Sequence, residues 1–341
     1  MIKYVFRADG NAKIGIGHIM RTLTVADAIK NIDRQESILV LCADEDSKKI
    51  ASTRGYKAIS LNSEYNNLLS EIDSWKKLEL SNCCIIVDSY FVTNDYLQAI
   101  GKYGKVFLFE DFQNEKFDVY GIINYSVFID KKIYEKVYGQ IDNFILGGEY
   151  VPIRNSFINS KWELRDKVNN ILISTGGSDI LNISGEIYKA LDEVLPNINY
   201  HIIVGPFNPY AEMLKNMSMK SSNLIIHCDV KDMAGLAEIC DIAISAGGST
   251  MYELTVMGIP TICFSFAQNQ EAFCEKYGYN ISDYAGAYDK EPESVLYNIK
   301  RLLSDKYVDK KNRRECSMRE KKLIDGKGAN RIAEALVNSL D

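Results

Sequence analysis

The sequence predicts an α/β protein of two doubly wound, Rossmann-like domains, and three observations predict it. Continuous apolar runs of strand length recur along the chain, helix-length segments separate them, and the series occurs twice around a glycine- and proline-bearing junction. Runs that are apolar throughout, rather than alternating, suit parallel strands covered by helices on both faces.

In the first half the strand-like runs are Tyr4–Phe6, Ile38–Cys42, Cys84–Val87, Val106–Phe109 and Ile122–Asn124. In the second they are Ile171–Ser174, Tyr200–Val204, Leu224–His227, Ile242–Ser245 and Thr261–Phe264. Helices are predicted over Ile19–Lys30, Asn94–Tyr103, Ile183–Val194, Tyr210–Met217, Met233–Ile239 and Met251–Met257. The junction, Gly147-Gly148-Glu149-Tyr150-Val151-Pro152-Ile153-Arg154, is followed by a charged stretch from Lys161 to Lys167, which divides the chain into domains 1–150 and 151–341. The tail from Glu291 to Asp341 carries no strand-like run and reads as a helical extension of two or three helices. Domains of this kind bind ligands at the carboxyl ends of their strands, so the expected site is a cleft between them.

Composition narrows the ligand. The chain has 341 residues, 46% hydrophobic and 25% charged, with a formal net charge of -6. Neither half carries a sustained Lys/Arg stripe, which argues against a nucleic-acid or acidic-lipid partner and for a small anion held locally. No apolar run approaches the roughly 20 residues that span a bilayer, so no membrane insertion and a soluble, cytoplasmic location are expected. The eight cysteines lie in apolar contexts and read as buried, reduced thiols. His227-Cys228-Asp229 follows a strand into a turn and is not expected to bind metal.

Four loops carry the chemistry. After the first strand comes Arg7-Ala8-Asp9 and then Ile14-Gly15-Ile16-Gly17-His18-Ile19-Met20-Arg21, in which Gly15 and Gly17 let the chain turn tightly and admit a ligand close to bare backbone. A helix starting there points N–H groups and its positive dipole end at an anion, and His18 stands beside it as an acid/base candidate. The second loop, Ser174-Thr175-Gly176-Gly177-Ser178-Asp179, is another anion cradle; Ser178 or Asp179 serves either as helix N-cap or as ligand contact. The third, Ser245-Ala246-Gly247-Gly248-Ser249-Thr250, offers hydroxyls and N–H groups to a diphosphate, and Glu253 one turn later can accept both hydrogen bonds of a ribose diol. The fourth, Gln268-Asn269-Gln270, places amides that suit sugar hydroxyls. Asp88, with Tyr90, and the pair Glu110 and Asp111 put carboxylates just past first-half strands; one of them orients His18 or holds the glycosyl group, or they cap helices. No third glycine completes G-x-G-x-x-G and no P-loop is present, so hydride transfer and ATP hydrolysis lose ground to nucleotide-sugar chemistry.

These motifs resemble a known family. Arg7-x-Asp9, Ile14-Gly-x-Gly17-His18-x-x-Arg21, Val87-Asp88-x-Tyr90, Gly176-Gly177-Ser178-Asp179 and Gly248-Ser249-Thr250-x-x-Glu253 are similar to the UDP-2,4-diacetamido-2,4,6-trideoxy-β-L-altropyranose hydrolases of pseudaminic acid biosynthesis, with Arg154, Asn269 and Gln270 at further family positions. The resemblance runs to about Tyr279. From Ser245 to Gln270 the chain is also similar to the wider GT-B group that includes the lipid II-forming N-acetylglucosaminyltransferase. The resemblance implies a GT-B fold, nucleotide on the second domain, and a His18-activated water that attacks the anomeric carbon and releases UDP with inversion. It implies neither metal nor cofactor, and a small-molecule UDP-sugar as partner. A UDP-sugar-dependent glycosyltransferase on the same fold is the alternative. An acceptor at a membrane calls for an exposed basic or apolar patch on the first domain, and the sequence is expected to lack one there. The segment past about Ser282 has no role in the family pattern and is expected to be a helical buttress returning to the first domain.

Overall fold

Tyr4–Ala8 is buried along its whole length, as a central strand flanked by helices requires, and it seeds the first sheet as β1. The computed structural model describes residues 2–33, 37–112, 115–139 and 143–340. They divide into two compact units, Met1–Ile153 with Gly326–Asp341, and Arg154–Asp325.

The first unit holds β1, β2 (Ile38–Cys42), β3 (Lys57–Ser60), β4 (Cys83–Asp88), β5 (Gly104–Phe109), β6 (Gly121–Asn124) and β7 (Phe144–Leu146). They pair in parallel in the order β3-β2-β1-β4-β5-β6-β7. The chain winds outward from β1 in one direction and then from β4 in the other. The topological switch point therefore lies between β1 and β4, where an open α/β sheet parts its loops to make a crevice. Helices α1 (Gly17–Ile32), α2 (Glu45–Thr53), α3 (Ile72–Trp75), α4 (Asn94–Gly101) and α5 (Lys131–Tyr138) connect the strands. Trp75, Tyr96 and Tyr134 pack with Val5, Ile85 and Ile122 into one buried cluster against the sheet.

The second unit begins with the single turn α6 (Asn155–Ile158) and holds β8 (Asn170–Ser174), β9 (Asn199–Val204), β10 (Leu224–Cys228), β11 (Ile242–Ala246), β12 (Thr261–Ser265) and β13 (Asp283–Ala287). The order is β10-β9-β8-β11-β12-β13, again parallel, with its switch point between β8 and β11. Its helices are α7 (Ile183–Asp192), α8 (Ala211–Ser218), α9 (Met233–Glu238), α10 (Ser249–Met257), α11 (Gln268–Asn280), α12 (Pro292–Leu302) and α13 (Lys310–Leu323). The final helix, α14 (Gly328–Asn338), belongs to the first unit: Ala329, Ile332, Ala333 and Leu336 are buried, and Gly328 sits so close to the Tyr150–Val151 backbone that a Cβ would not fit. A division at 150/151 that leaves the whole tail in the second domain is thereby corrected, because the apolar face of α14 is buried in the first unit.

The segment past Ser282 is also more than helix. Asp283–Ala287 pairs with β12 as the sheet's last strand. Together with β3 it escapes a search for apolar runs, because these edge strands are short, half exposed and carry polar residues or glycine; β7, Phe-Ile-Leu, escapes it by being three residues long. The thiols are all unpaired, and seven of the eight are buried; Cys228, at the end of an edge strand, is exposed. Among the described residues no helix is long and apolar enough to cross a membrane.

Candidate functional site

In the first unit, the loop after β1 folds on itself by backbone hydrogen bonds between Asn11 and Gly15, 3.1 and 2.8 Å, with Gly15 at φ 72° where a side chain is disfavoured. Helix α1 then starts at Gly17, and its N-cap, Ile16, supplies no side-chain acceptor. The helices α2, α4 and α5 are capped by Asp44, Thr93 and Asp130. The first turn of α1, unlike those of α2, α4 and α5, has no side-chain cap on its N–H groups.

His18 lies on that turn, nearly buried, with its Nδ1 2.6 Å from Asp88 Oδ1 at the end of β4. Strand pairing of Ala8 with Asp88 puts the two loops side by side at the switch point. Arg21, one turn along α1, donates from Nε to Asp88 Oδ2 at 2.5 Å and from Nη2 to Asp88 Oδ1 at 2.5 Å. The same guanidinium donates from Nη1 to Asp111 Oδ1 at 3.1 Å and to the Tyr125 hydroxyl at 2.8 Å. Burial alone would raise the Asp88 carboxyl, but Arg21 and then His18 outweigh it and hold it well below the usual carboxylate range. An ionised carboxylate only accepts, so His18 Nδ1 is the donor in this pair and carries a proton.

Of the three carboxylates that the sequence left open, Asp88 orients His18. Glu110 instead closes its own loop, accepting from Phe112 N at 2.7 Å and from the Tyr134 hydroxyl at 2.5 Å. Arg7 and Asp9, expected as ligand contacts, are engaged with partners inside the first unit. Arg7 is fully buried on β1, bonded to Asp9 at 2.6 Å and to Glu71, and Asp9 accepts the Ala43 N–H at 2.7 Å. The Tyr96 hydroxyl completes this buried network on Glu71 at 3.2 Å. One guanidinium thus serves two carboxylates inside the sheet end, and all three side chains are buried and bonded to one another.

Tyr90 stands edge-on to the His18 ring, centroids 4.3 Å apart, and continues into a cluster with Phe112 at 4.8 Å. Next to it, Phe91 meets Tyr65, which lies under Lys13. Tyr90, Phe91 and Phe112 are each 40–44% exposed. The sequence reading expected no apolar patch on this domain; folding assembles one from Tyr65, Tyr90, Phe91 and Phe112, residues of three separate loops.

In the second unit, the loop after β8 turns through Gly176 at φ 86° with open space where a Cβ would stand. Gly177 O accepts from Phe207 N at 3.1 Å, and Gly205, after β9, touches the carbonyls of Gly176 and Gly177 so closely that any Cβ would collide. Ser178 remains half exposed beside them. Of the two roles open to Asp179 the structure shows the cap: it is buried and accepts from Ile183 N at 2.7 Å and from Ser184 N and Oγ at 3.1 and 2.6 Å.

After β11, helix α10 starts at Ser249 with Gly248 as its N-cap, which has no side chain to satisfy the first-turn N–H groups. Ser249 and Thr250 are half exposed there. Glu253 is held by Arg154, whose Nε and Nη2 reach its two oxygens at 2.5 and 2.7 Å. Arg154 thus acts on Glu253, fixing its carboxylate by a two-point, charge-assisted contact. Asn269 is on the first turn of α11, and Gln270 Oε1 accepts from Phe266 N at 3.1 Å, so Gln270 shapes the turn that leads into its helix. Sequence reasoning missed Gly205, Glu71 and Tyr125. Glycine after a second strand was the one available signal for Gly205; nothing local marks the other two.

Fold and site together define a GT-B α/β protein with a histidine–aspartate pair in one unit and two glycine loops in the other, of which the one at Gly248 opens a helix with no side-chain cap. No family model matches the chain. It is 27% identical over 292 residues to an uncharacterized protein of Methanocaldococcus jannaschii, covering 82% of this chain and 59% of that protein's length. It is 26% identical to the spore coat polysaccharide biosynthesis protein SpsG of Bacillus subtilis over 96% of both chains. It is 24% identical to the UDP-2,4-diacetamido-2,4,6-trideoxy-beta-L-altropyranose hydrolase of Campylobacter jejuni over 82% of this chain and 98% of that enzyme. Among solved structures, Acinetobacter baumannii MurG superposes with a TM-score of 0.65 at 13% identity, covering 99% and 100% of the two chains. The UDP co-structure of Staphylococcus aureus MnaA gives 0.66 at 11% identity, covering 97% and 95%. The chain is a relative of the nucleotide-sugar hydrolase and SpsG on a GT-B fold.

Proposed function

We propose that the protein hydrolyses a UDP-linked 2,4-diacetamido-2,4,6-trideoxyhexose, the β-L-altropyranose being the first candidate, to free sugar and UDP. The observation that carries this reading is His18 Nδ1 at 2.6 Å from Asp88, which fixes the tautomer of a general base. His18 Nε2 takes a proton from water as the water oxygen bonds to the anomeric carbon. The bond from that carbon to the diphosphate oxygen breaks, its electron pair leaving with UDP, and the anomeric centre inverts. Backbone N–H groups at Gly176, Gly177, Gly248, Ser249 and Thr250, and on the first-unit side Gly15 and Gly17, are proposed to neutralise the departing diphosphate. Glu253, oriented by Arg154, accepts from the ribose hydroxyls, and Ser178 and Asn269 contribute polar contacts. Tyr90 lines the sugar side. Nucleotide-sugar supply makes the cytoplasm the proposed place of action.

The glycosyltransferase reading keeps a specific support: the exposed aromatic cluster of Tyr90, Phe91 and Phe112 beside His18 is a surface on which an acceptor can rest. The test is UDP release from the UDP-sugar followed by NMR of the sugar product. Release by wild type without added acceptor, lost by at least ~10²-fold in His18→Ala, is the expected result. Release that requires an acceptor sugar or lipid replaces hydrolysis with transfer, and full activity of His18→Ala removes the base assignment.

A further inference from the structure

We infer that Asp111 is a positioning residue that sets the basicity of His18 through Arg21, by drawing part of the guanidinium's charge away from the His18–Asp88 pair. This rests on the reading of His18 as the base.

Arg21 is a shared group. Its Nη2 lies 3.3 Å from His18 Nδ1, so a cation stands beside the ring that must itself become a cation when it takes the attacking water's proton. Asp88 favours that imidazolium, but Asp88 is also bonded twice to Arg21, and one carboxylate cannot fully serve both positive groups. Asp111 closes the account: its Oδ2 lies 3.0 Å from Arg21 Nη2 and its Oδ1 accepts from Nη1 at 3.1 Å. With His18 neutral, Asp88, Asp111 and Arg21 sum to one negative charge, and the arriving proton brings the cluster to zero. Without the Asp111 charge the cluster starts at zero, and the proton makes an uncompensated cation in a nearly buried place.

The groups that face His18 and Arg21 from each packed element leave Asp111 as the adjustable one. From α1 there is Arg21 itself, from the end of β4 Asp88, and from the following loop Tyr90, which donates its hydroxyl to Asp111 Oδ2 at 3.2 Å. After β6 there is Tyr125, whose hydroxyl burial pushes up to about 12, so it stays neutral. Asp9, next along from β1, is committed to Arg7. Asp111 is the carboxylate of this set that touches Arg21 without touching His18, and about a quarter of its side chain is exposed, so its replacement does not open the core.

The chain has three histidines, so ¹⁵N-histidine NMR resolves His18, assigned by the resonance that disappears in His18→Gln. Asp111→Asn is expected to move the His18 midpoint to lower pH by about one unit, and Asp111→Glu to restore it. The titration uses no substrate, so it stands or falls independently of the hydrolase reading. Where UDP release is measured, the plateau rate of Asp111→Asn falls roughly threefold, as a base tenfold weaker gives at a Brønsted slope near one half. Tyr90→Phe, which keeps the charge and removes one hydrogen bond to Asp111, leaves the midpoint in place. An unmoved or raised midpoint in Asp111→Asn, or in Asp111→Ser should Asn not fold, overturns the inference, as does Asp111→Glu matching Asp111→Asn.

Discussion

Asp88→Asn tests both the architecture and the chemistry of the histidine loop. The wild-type carboxylate is fully buried and both oxygens are engaged, Oδ1 by His18 and Arg21 and Oδ2 by Arg21. Removing one member of a buried ion pair costs about 3–5 kcal/mol when the other charge is stranded. Arg21 keeps Asp111 and Tyr125, so the lower end, about 3 kcal/mol at neutral pH, is expected. At roughly 2–4 °C per kcal/mol for a cooperative unit of this size, the first unit melts about 6–12 °C lower. The pH dependence has a definite sign. The folded carboxyl titrates below its unfolded value, so its stabilisation is fully present above the ordinary aspartate range near 4 and is lost as pH falls below it. The gap between wild type and variant should therefore be constant from about pH 7 to 5 and narrow below 4. On the chemical side, an amide can donate to Nδ1 and so select the wrong tautomer, and kcat is expected to drop by about 10²–10⁴-fold. Calorimetry across pH with UDP-release kinetics measures both. A variant that melts within 2 °C of wild type at pH 7, or whose deficit does not shrink in acid, refutes the buried charge account.

Three further outcomes follow from the second unit. Gly205→Ala places a Cβ against the carbonyls of Gly176 and Gly177, so UDP affinity by calorimetry should weaken at least about tenfold, or ~1.4 kcal/mol; unchanged affinity removes the second loop from the nucleotide site. Arg154→Met releases Glu253 from its two short hydrogen bonds, and UDP binding is expected to weaken by about tenfold with partial recovery in Arg154→Lys. If Arg154→Met binds UDP as wild type does, Glu253 is not a ligand-reading carboxylate. On the sheet, His201 Nδ1 lies 3.0 Å from His227 Nε2 and its Nε2 lies 3.1 Å from Asn170 Oδ1; burial, then His227, pushes His201 down to about 4. The unfolded chain takes this proton first as pH falls, so the stabilisation is intact above about 6.5 and about 1–3 kcal/mol is lost between there and 4. His201→Gln should flatten that loss in urea unfolding; parallel curves would assign it to other groups.

The sequence was legible where burial is two-sided. Ile38–Cys42 is apolar end to end because helices cover both its faces, and its limits in the structure are those of the run. Lys57–Ser60 and Asp283–Ala287 are edge strands, and what makes them strands is their neighbour, so no local pattern announces them. The glycines of the site were legible for a related reason: a positive φ at Gly15 or Gly176 is a backbone demand that one residue type meets. Carboxylates were harder. Asp9, Asp179 and Asp88 all follow strands or open helices, yet one pairs inside the sheet end with Arg7, one caps α7, and one orients His18. What separates them is the partner brought by a residue 2, 4 or 70 positions away, and the long separation is the one that spacing rules do not reach.

That last point bears on hydrolysis against transfer. His18 with its Nδ1 on Asp88 is equally suited to deprotonate water or a sugar hydroxyl, because general-base geometry depends on the oxygen and not on what that oxygen carries. The residues nearest the histidine therefore do not contain the distinction. It lies in the surrounding wall, where Tyr90, Phe91 and Phe112 present about two-fifths of their surface to solvent from two different loops. Aromatic faces favour the apolar side of a sugar, its deoxy methyl or acetamido methyl groups, as readily as they favour an acceptor. A substrate rich in such methyl groups would cover this wall with its own donor sugar and leave space at Nε2 for water alone, whereas a hydroxyl-rich donor would leave the wall for a second molecule. The reading of the sugar and the reading of the reaction are for that reason one question, and the UDP-release assay with and without acceptor tests both together.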